Sequence, residues 1–115
     1  MGSSLDDYEK KFLEDFRERI IKHFIDVIVI AELTKGKPMS GFDVIWFIHR
    51  KYDIMLSSGT VYSRLYTLER KGILKGTMTS RKVIYSISEK GQKLVPIIMK
   101  LNLKIQECLK NLDIS

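Results

Sequence analysis

Six apolar residues near the C-terminus, Leu94, Ile98, Leu101, Ile105, Cys108 and Leu112, follow one another at spacings of 4, 3, 4, 3 and 4. This is the heptad seam of a helix with a single apolar stripe. The chain has 115 residues, enough for one domain with one core. A seam that continues past the end of such a core has no second layer in its own chain to lie against, and monomers rarely expose contiguous apolar patches beyond roughly a few hundred Å². The sequence therefore predicts a helix over residues 89–112 that pairs with a second copy of the chain. Cys108 on that seam reads first as a small apolar side chain and only second as a reactive thiol.

The remaining residues divide into shorter elements. From Leu5 to Leu33 apolar side chains recur at helical spacing with no Gly or Pro between them, which predicts one long helix or two abutting ones. The part before Arg17 is amphipathic; the part from Ile20 onward is apolar on more than one face, as a core helix would be. Thr34-Lys35-Gly36-Lys37-Pro38 is a stop signal. Ser40 is positioned to cap a second helix running to about Lys51, and Ser57 or Ser58 a third running to Lys71, with Gly72 as its stop. Two further runs, Ile73–Met78 and Lys82–Ser88, flank Thr79-Ser80-Arg81 and predict a β-hairpin with a basic tip. Ser88 caps the final helix, which Pro96 is expected to kink or split.

The expected fold class is mainly α with a small β-hairpin (α+β): a winged helix-turn-helix with extra N- and C-terminal helices that form a dimer interface. Residues 1–17 read as an amphipathic extension, 18–88 as the winged helix-turn-helix and 89–115 as the dimerisation helix. In such a fold the inner stripe of the third helix, Val61, Leu65 and Leu68, holds it against the other helices, so that its polar face is free to enter a major groove. Thr60, Ser63, Tyr66, Thr67 and Arg70 lie on that outer face at about 100° per residue.

Charge supports the same reading. The formal net charge is +6, but residues 1–34 carry five Lys/Arg against eight Asp/Glu, whereas residues 57–91 carry seven against two. A basic strip beside an acidic flank suits an oriented polyanion. No apolar run approaches the roughly 20 residues of a membrane span, and the acidic N-terminus lacks the pattern of a secretory signal, so a cytoplasmic location is expected. One cysteine and two distant histidines, His23 and His49, offer no intrachain disulfide and no metal-ligand spacing. No cofactor or metal is expected. Nor is an enzyme: there is no nucleophile beside a base and no phosphate-cradling glycine motif.

At Ser40-Gly41-Phe42-Asp43, at Ser58-Gly59-Thr60-Val61-Tyr62 and at Leu65-Tyr66-Thr67-Leu68-Glu69-Arg70-Lys71-Gly72-Ile73-Leu74 the sequence resembles the PadR family of winged-helix transcriptional regulators. Arg81-Lys82, Tyr85-Ser86-Ile87-Ser88 and Gly91 continue the resemblance, which covers about residues 20–95. Phe42 stands where the family usually has Tyr, and Ser63 where Pro is usual. The resemblance implies a homodimer closed by the terminal helices, each protomer offering a recognition helix and wing to one half of a DNA operator. It also points to the shorter members, which lack a large effector domain.

The candidate DNA-binding residues are Ser57, Ser58, Thr60, Tyr62, Ser63, Arg64, Tyr66, Thr67, Arg70 and Lys71 on the third helix, with Arg81 and Lys82 on the wing. Small polar residues suit close groove approach, and the long cations suit phosphate. Tyr62 is open between packing and contact with DNA; Tyr66 is expected to be exposed, and Arg64 to meet phosphate rather than a base. Trp46 is expected in the core. Some relatives bind aromatic compounds between subunits, so a small aromatic effector at the dimer interface, touching Trp46, is a lesser reading. The competing function is a winged-helix protein-interaction module with an incidental basic hairpin; salt-sensitive binding to duplex DNA separates the two.

Overall fold

The computed structural model describes residues 5–111. The first helical stretch is two elements, α1 (Asp7–His23) and α2 (Ile25–Leu33). Asp6 starts α1 through a reciprocal capping box: its carboxylate accepts the Glu9 N–H at 2.7 Å, and the Glu9 carboxylate accepts the Asp6 N–H at 3.1 Å. At Phe24 the backbone leaves the helix (φ −105°, ψ 8°), and its N–H donates to the Ile21 carbonyl at 3.0 Å. The break separates two unlike helices. α1 buries no residue and runs past Arg17, where the sequence set the edge of an extension, to His23. α2 buries Ile25, Val29, Ile30 and Leu33.

After the stop at residues 34–38 comes a two-residue strand, β1 (Met39–Ser40), which the sequence did not announce. The hairpin consists of β2 (Leu74–Thr79) and β3 (Lys82–Ile87), in register from Leu74 opposite Ile87 to Thr79 opposite Lys82. β1 lies along the other edge of β3, with Met39 opposite Tyr85 and Ser40 opposite Ile84. The expected two-stranded wing is thus anchored in a three-stranded antiparallel sheet of order β1-β3-β2. A lone hairpin is marginal in water, and a third strand gives β3 partners on both edges.

Between β1 and β2 lie α3 (Gly41–Tyr52) and α4 (Ser58–Arg70), the helix-turn-helix pair. Ser40 and Asp43 form the capping box of α3, Ser40 N–H to Asp43 Oδ2 at 2.9 Å and Asp43 N–H to Ser40 Oγ at 3.1 Å. α3 ends at Asp53, in the left-handed region at φ 57°. Ser57, not Ser58, caps α4. At its other end the Gly72 N–H returns to the Glu69 carbonyl and the Ile73 N–H to the Leu68 carbonyl, both at 2.9 Å, a Schellman closure. The core fills the space between α2, α3, α4 and the sheet with Val44, Ile48, Ile54, Leu56, Val61, Leu65, Leu68, Leu74 and Tyr85 beside the four buried residues of α2.

The last helix, α5 (Glu89–Lys110), passes through Pro96 without ending, so the first turns are not split off. Ser88 caps it: its hydroxyl accepts the Gly91 N–H at 3.0 Å and lies against the carbonyls of Gly72 and Ile73. Gly91 is buried so tightly there that a Cβ would stand 2.3 Å from the Ile73 carbonyl oxygen. Only backbone without a side chain fits. Gly91→Ala is therefore expected to destabilise the chain by about 1–3 kcal/mol, the range for overpacked cores. Gly59→Ala, whose Cβ would meet nothing within 4 Å, is expected to leave stability unchanged or raise it by up to about 1 kcal/mol. Thermal unfolding followed by circular dichroism compares the two; equal midpoints would show that the approach of α5 to Ile73 does not limit the fold.

Candidate nucleic-acid interface

The inner face of α4 is anchored by Val61, Leu65 and Leu68, all buried. Its outer face therefore presents Ser63, Tyr66 and Arg70, all exposed, with Thr60 and Thr67 half-buried beside them; Ser58 is exposed in the first turn, on the side of the inner stripe. The expected separation of inner stripe and outer face holds because a helix fixed along one stripe leaves the residues about 180° away in solvent. The hydroxyl groups are less free than the sequence implied. Ser57 Oγ accepts the Thr60 N–H at 3.2 Å and lies 2.8 Å from Thr60 Oγ1, so both side chains serve the helix cap. Thr67 Oγ1 donates to the Ser63 carbonyl at 2.9 Å and accepts from Arg70 Nη2 at 3.2 Å. Lys71 is exposed at the C-cap, its carbonyl taken by Lys90 Nζ at 3.1 Å.

Arg64 does not project with these residues. Its guanidinium is bound on both sides by Asp26 of α2, with Nε to Oδ1 at 2.9 Å. The sequence placed it near the edge of the inner stripe; what it missed was an acid on another helix facing that edge. Tyr62 is half-buried, packed against the core and against Gly41, where a Cβ would lie 2.3 Å from the Tyr62 ring. Tyr66 is 51% exposed, its ring centroid 6.0 Å from that of Tyr62. The two tyrosines thus divide between packing and solvent.

Arg81 and Lys82 are exposed at the tip of the wing, where Ser80 turns the chain in the left-handed region (φ 52°). Lys82 also acts on the first turn of α3. The hydrogen bond from the Ser40 backbone, helped by the Ser40 hydroxyl and by the charges of Lys82 and Lys37, holds the Asp43 carboxyl below its ordinary value against a smaller opposing effect of burial. In the sequence Lys37 is legible only as part of a helix stop. The pairing of β1 with β3 brings it near Lys82, and that pairing has no local signal.

Trp46 is not in the core: it is 42% exposed. The buried stripe of α3 is Gly41, Val44 and Ile48, and Trp46 lies about 200° from Val44. With Phe42, whose ring meets its own edge-on at 6.0 Å, it borders an open groove of about 420 Å³ rimmed by Lys35, Lys37 and Arg50. No residue of α1 or α5 lines this groove. Among the described residues no cluster of His, Cys, Asp and Glu is arranged to hold a metal ion, and no helix is long and apolar enough to cross a membrane.

A helix-turn-helix followed by a β-hairpin, with a polar outer face on its second helix and cations on the hairpin tip, defines the winged-helix class of DNA-binding proteins. The sequence model of the transcriptional regulator PadR-like family matches residues 29–96. The chain belongs to that family, and is a DNA-binding transcriptional regulator rather than an enzyme. Solved structures share the fold. A transcriptional regulator from Clostridium thermocellum aligns at 23% identity and TM-score 0.67, covering 83% of this chain and 96% of its own. A PadR-like transcriptional regulator from Bacillus cereus aligns at 13% identity and TM-score 0.70, covering 81% and 94%. The regulator BldR from Sulfolobus solfataricus covers 96% of this chain and 90% of its own at 16% identity and TM-score 0.62. No curated protein matches the sequence.

Tyr85, buried between the sheet and α4, has its phenol pushed above the ordinary value, first by burial and then by the negative charge of Glu69. A raised value means that its stabilising effect is complete below the unfolded-state value and is lost as pH rises through the folded one. Stability of the wing and α4 is therefore expected to fall above about pH 10. Tyr85→Phe should flatten that alkaline decline in a pH series of thermal midpoints; an identical decline in the variant would place its origin elsewhere.

Proposed function

We propose that the chain binds duplex DNA as a homodimer, with α4 in the major groove and the β2–β3 wing on the adjacent backbone or minor groove, and that it represses transcription by occupying its operator. Residues 18–88 form the DNA-binding unit, and residues 1–17 and 89–115 serve pairing. Acting on the chromosome, the protein works in the cytoplasm. The observation that carries the DNA reading is the outer face of α4, where Ser63, Tyr66 and Arg70 stand exposed opposite a buried stripe. Such a face takes no part in the core; it suits base edges and phosphates. Arg81 and Lys82 add sequence-independent attraction.

Pairing is supported by apolar side chains left in solvent in a single chain. On α1 these are Tyr8, Phe12, Phe16 and Ile20; on α5, Leu101 is 52% exposed and Cys108 is exposed as well. The first part of the seam is partly covered within the chain, since Leu94 and Ile98 are half-buried and Ile98 packs on the core. Ile105 is half-buried, and Leu112 lies outside the described residues. Twofold pairing of α5, with α1 laid over the partner, covers the remainder. Two recognition helices about 34 Å apart would then read an inverted repeat. The proposal includes no aromatic effector.

Selection of bound duplexes from a random pool tests the reading as a whole, and an inverted repeat is the expected product. Arg81→Ala with Lys82→Ala should weaken binding to every sequence and lower the salt slope by roughly 0.9 for each phosphate that is no longer neutralised; an unchanged slope removes the wing from the interface. Leu101→Asp with Ile105→Asp is expected to give monomers that bind DNA far more weakly with α4 intact. A wild type that sediments as a monomer at micromolar concentration would falsify the pairing.

A further inference from the structure

Among the described residues only one ion pair joins distant parts of the chain, Arg64 of α4 to Asp26 in the first turn of α2; the other three link residues three or four positions apart. The pair is bidentate, Nε to one carboxylate oxygen and Nη2 to the other, the geometry in which guanidinium and carboxylate hold each other most firmly. It is also accessible, with 37% of the Arg64 side chain and 32% of the Asp26 side chain exposed. Exposure of that degree leaves little net stabilisation, so stability alone does not account for the arrangement. An acid in the first turn suits the α2 dipole, but that accounts for Asp26 and not for the seating of Arg64 on it.

The position of Arg64 supplies a reason. At about 100° per residue it stands on the α2 flank of α4, between the inner stripe and the outer face and next to Thr60 and Thr67. A free arginine there, on a flexible stem, would reach any phosphate alongside the groove. Such a contact strengthens binding to all sequences alike, because it releases counterions without reading a base. We propose that Asp26 is a positioning residue for DNA recognition: it withholds Arg64 from the phosphate backbone and fixes the α2 flank of α4, so that the outward side chains and the wing set affinity. Removing the acid then converts Arg64 into a non-specific phosphate contact and narrows the gap between specific and non-specific binding. The inference rests on the DNA-binding reading above.

The test is a cycle of wild type, Asp26→Asn, Arg64→Gln and the double variant. Binding to a fluorescein-labelled duplex of mixed sequence is followed by anisotropy over a series of sodium chloride concentrations. Asp26→Asn is expected to steepen the salt slope by about 0.9 per protomer, one phosphate contact each. Arg64→Gln should keep the wild-type slope, and the double variant should return to it, because the added attraction acts through Arg64. Three results overturn the proposal: a shallower slope for Arg64→Gln alone, an unchanged slope for Asp26→Asn, or a double variant as steep as Asp26→Asn, which would make the effect one of general charge. Should Asp26→Asn fail to fold by circular dichroism, Arg64→Gln decides against wild type by itself: an equal slope supports the proposal and a shallower one overturns it. A wild type with no salt-dependent binding removes the DNA reading and this proposal together, whereas a binding wild type with an unmoved Asp26→Asn removes this proposal alone.

Discussion

The structure depends on the burial of α2. Ile25, Val29, Ile30 and Leu33 lose nearly all contact with solvent on a helix of nine residues, each contributing about 1.5–3 kcal/mol by burial. A helix that is apolar on more than one face has to be surrounded. α3, α4 and the sheet pack around it, and the first turns of α5 close over it through Val95 and Ile98. The angle of the helix-turn-helix follows from that requirement, since α4 is seated by the same core that encloses α2.

What results is an α4 restrained at every boundary except its outer face. Ser57 caps one end, the Schellman closure through Gly72 and Ile73 fixes the other, and Leu65 and Val61 hold the middle away from solvent. On one flank Tyr62 fills the space left by Gly41; on the other Arg64 is tied to Asp26. In the proposed complex a helix backbone held in this way gives up little further conformational freedom on meeting DNA, which would favour discrimination among base sequences over general attraction.

The terminal helices obey a different balance. α1 touches the rest of the chain mainly through its C-terminal end and through Arg17, whose guanidinium donates to the Tyr52 carbonyl at 2.6 Å. Its aromatic side chains remain in water, as do apolar side chains of the later turns of α5. Apolar surface of this kind is compatible with solubility only when something covers it. The proposed pairing links that covering to function, because joining two protomers through α5 fixes the spacing of their recognition helices.

The sequence by itself determined the elements and the polarity of α4. Period 3.6 in the helices, alternation at Val83, Tyr85 and Ile87, and caps at Ser40, Ser57 and Ser88 are local signals, and local hydrogen bonding obeys them. The outer residues Ser63, Tyr66 and Arg70 were legible for the same reason: a helix with a known inner stripe has a known outer one. Tertiary structure decided whatever needed a partner from far along the chain. β1 exists only because Tyr85 and Ile84 lie opposite Met39 and Ser40. Trp46 is in solvent because the core chose Val44 and Ile48, and its apolar neighbours in sequence gave no sign of that. Arg64 is tied to the α2 flank by Asp26, 38 residues away, and a contact across that separation leaves no periodic trace in the sequence, since only the packing of α2 against α4 brings the two charges together.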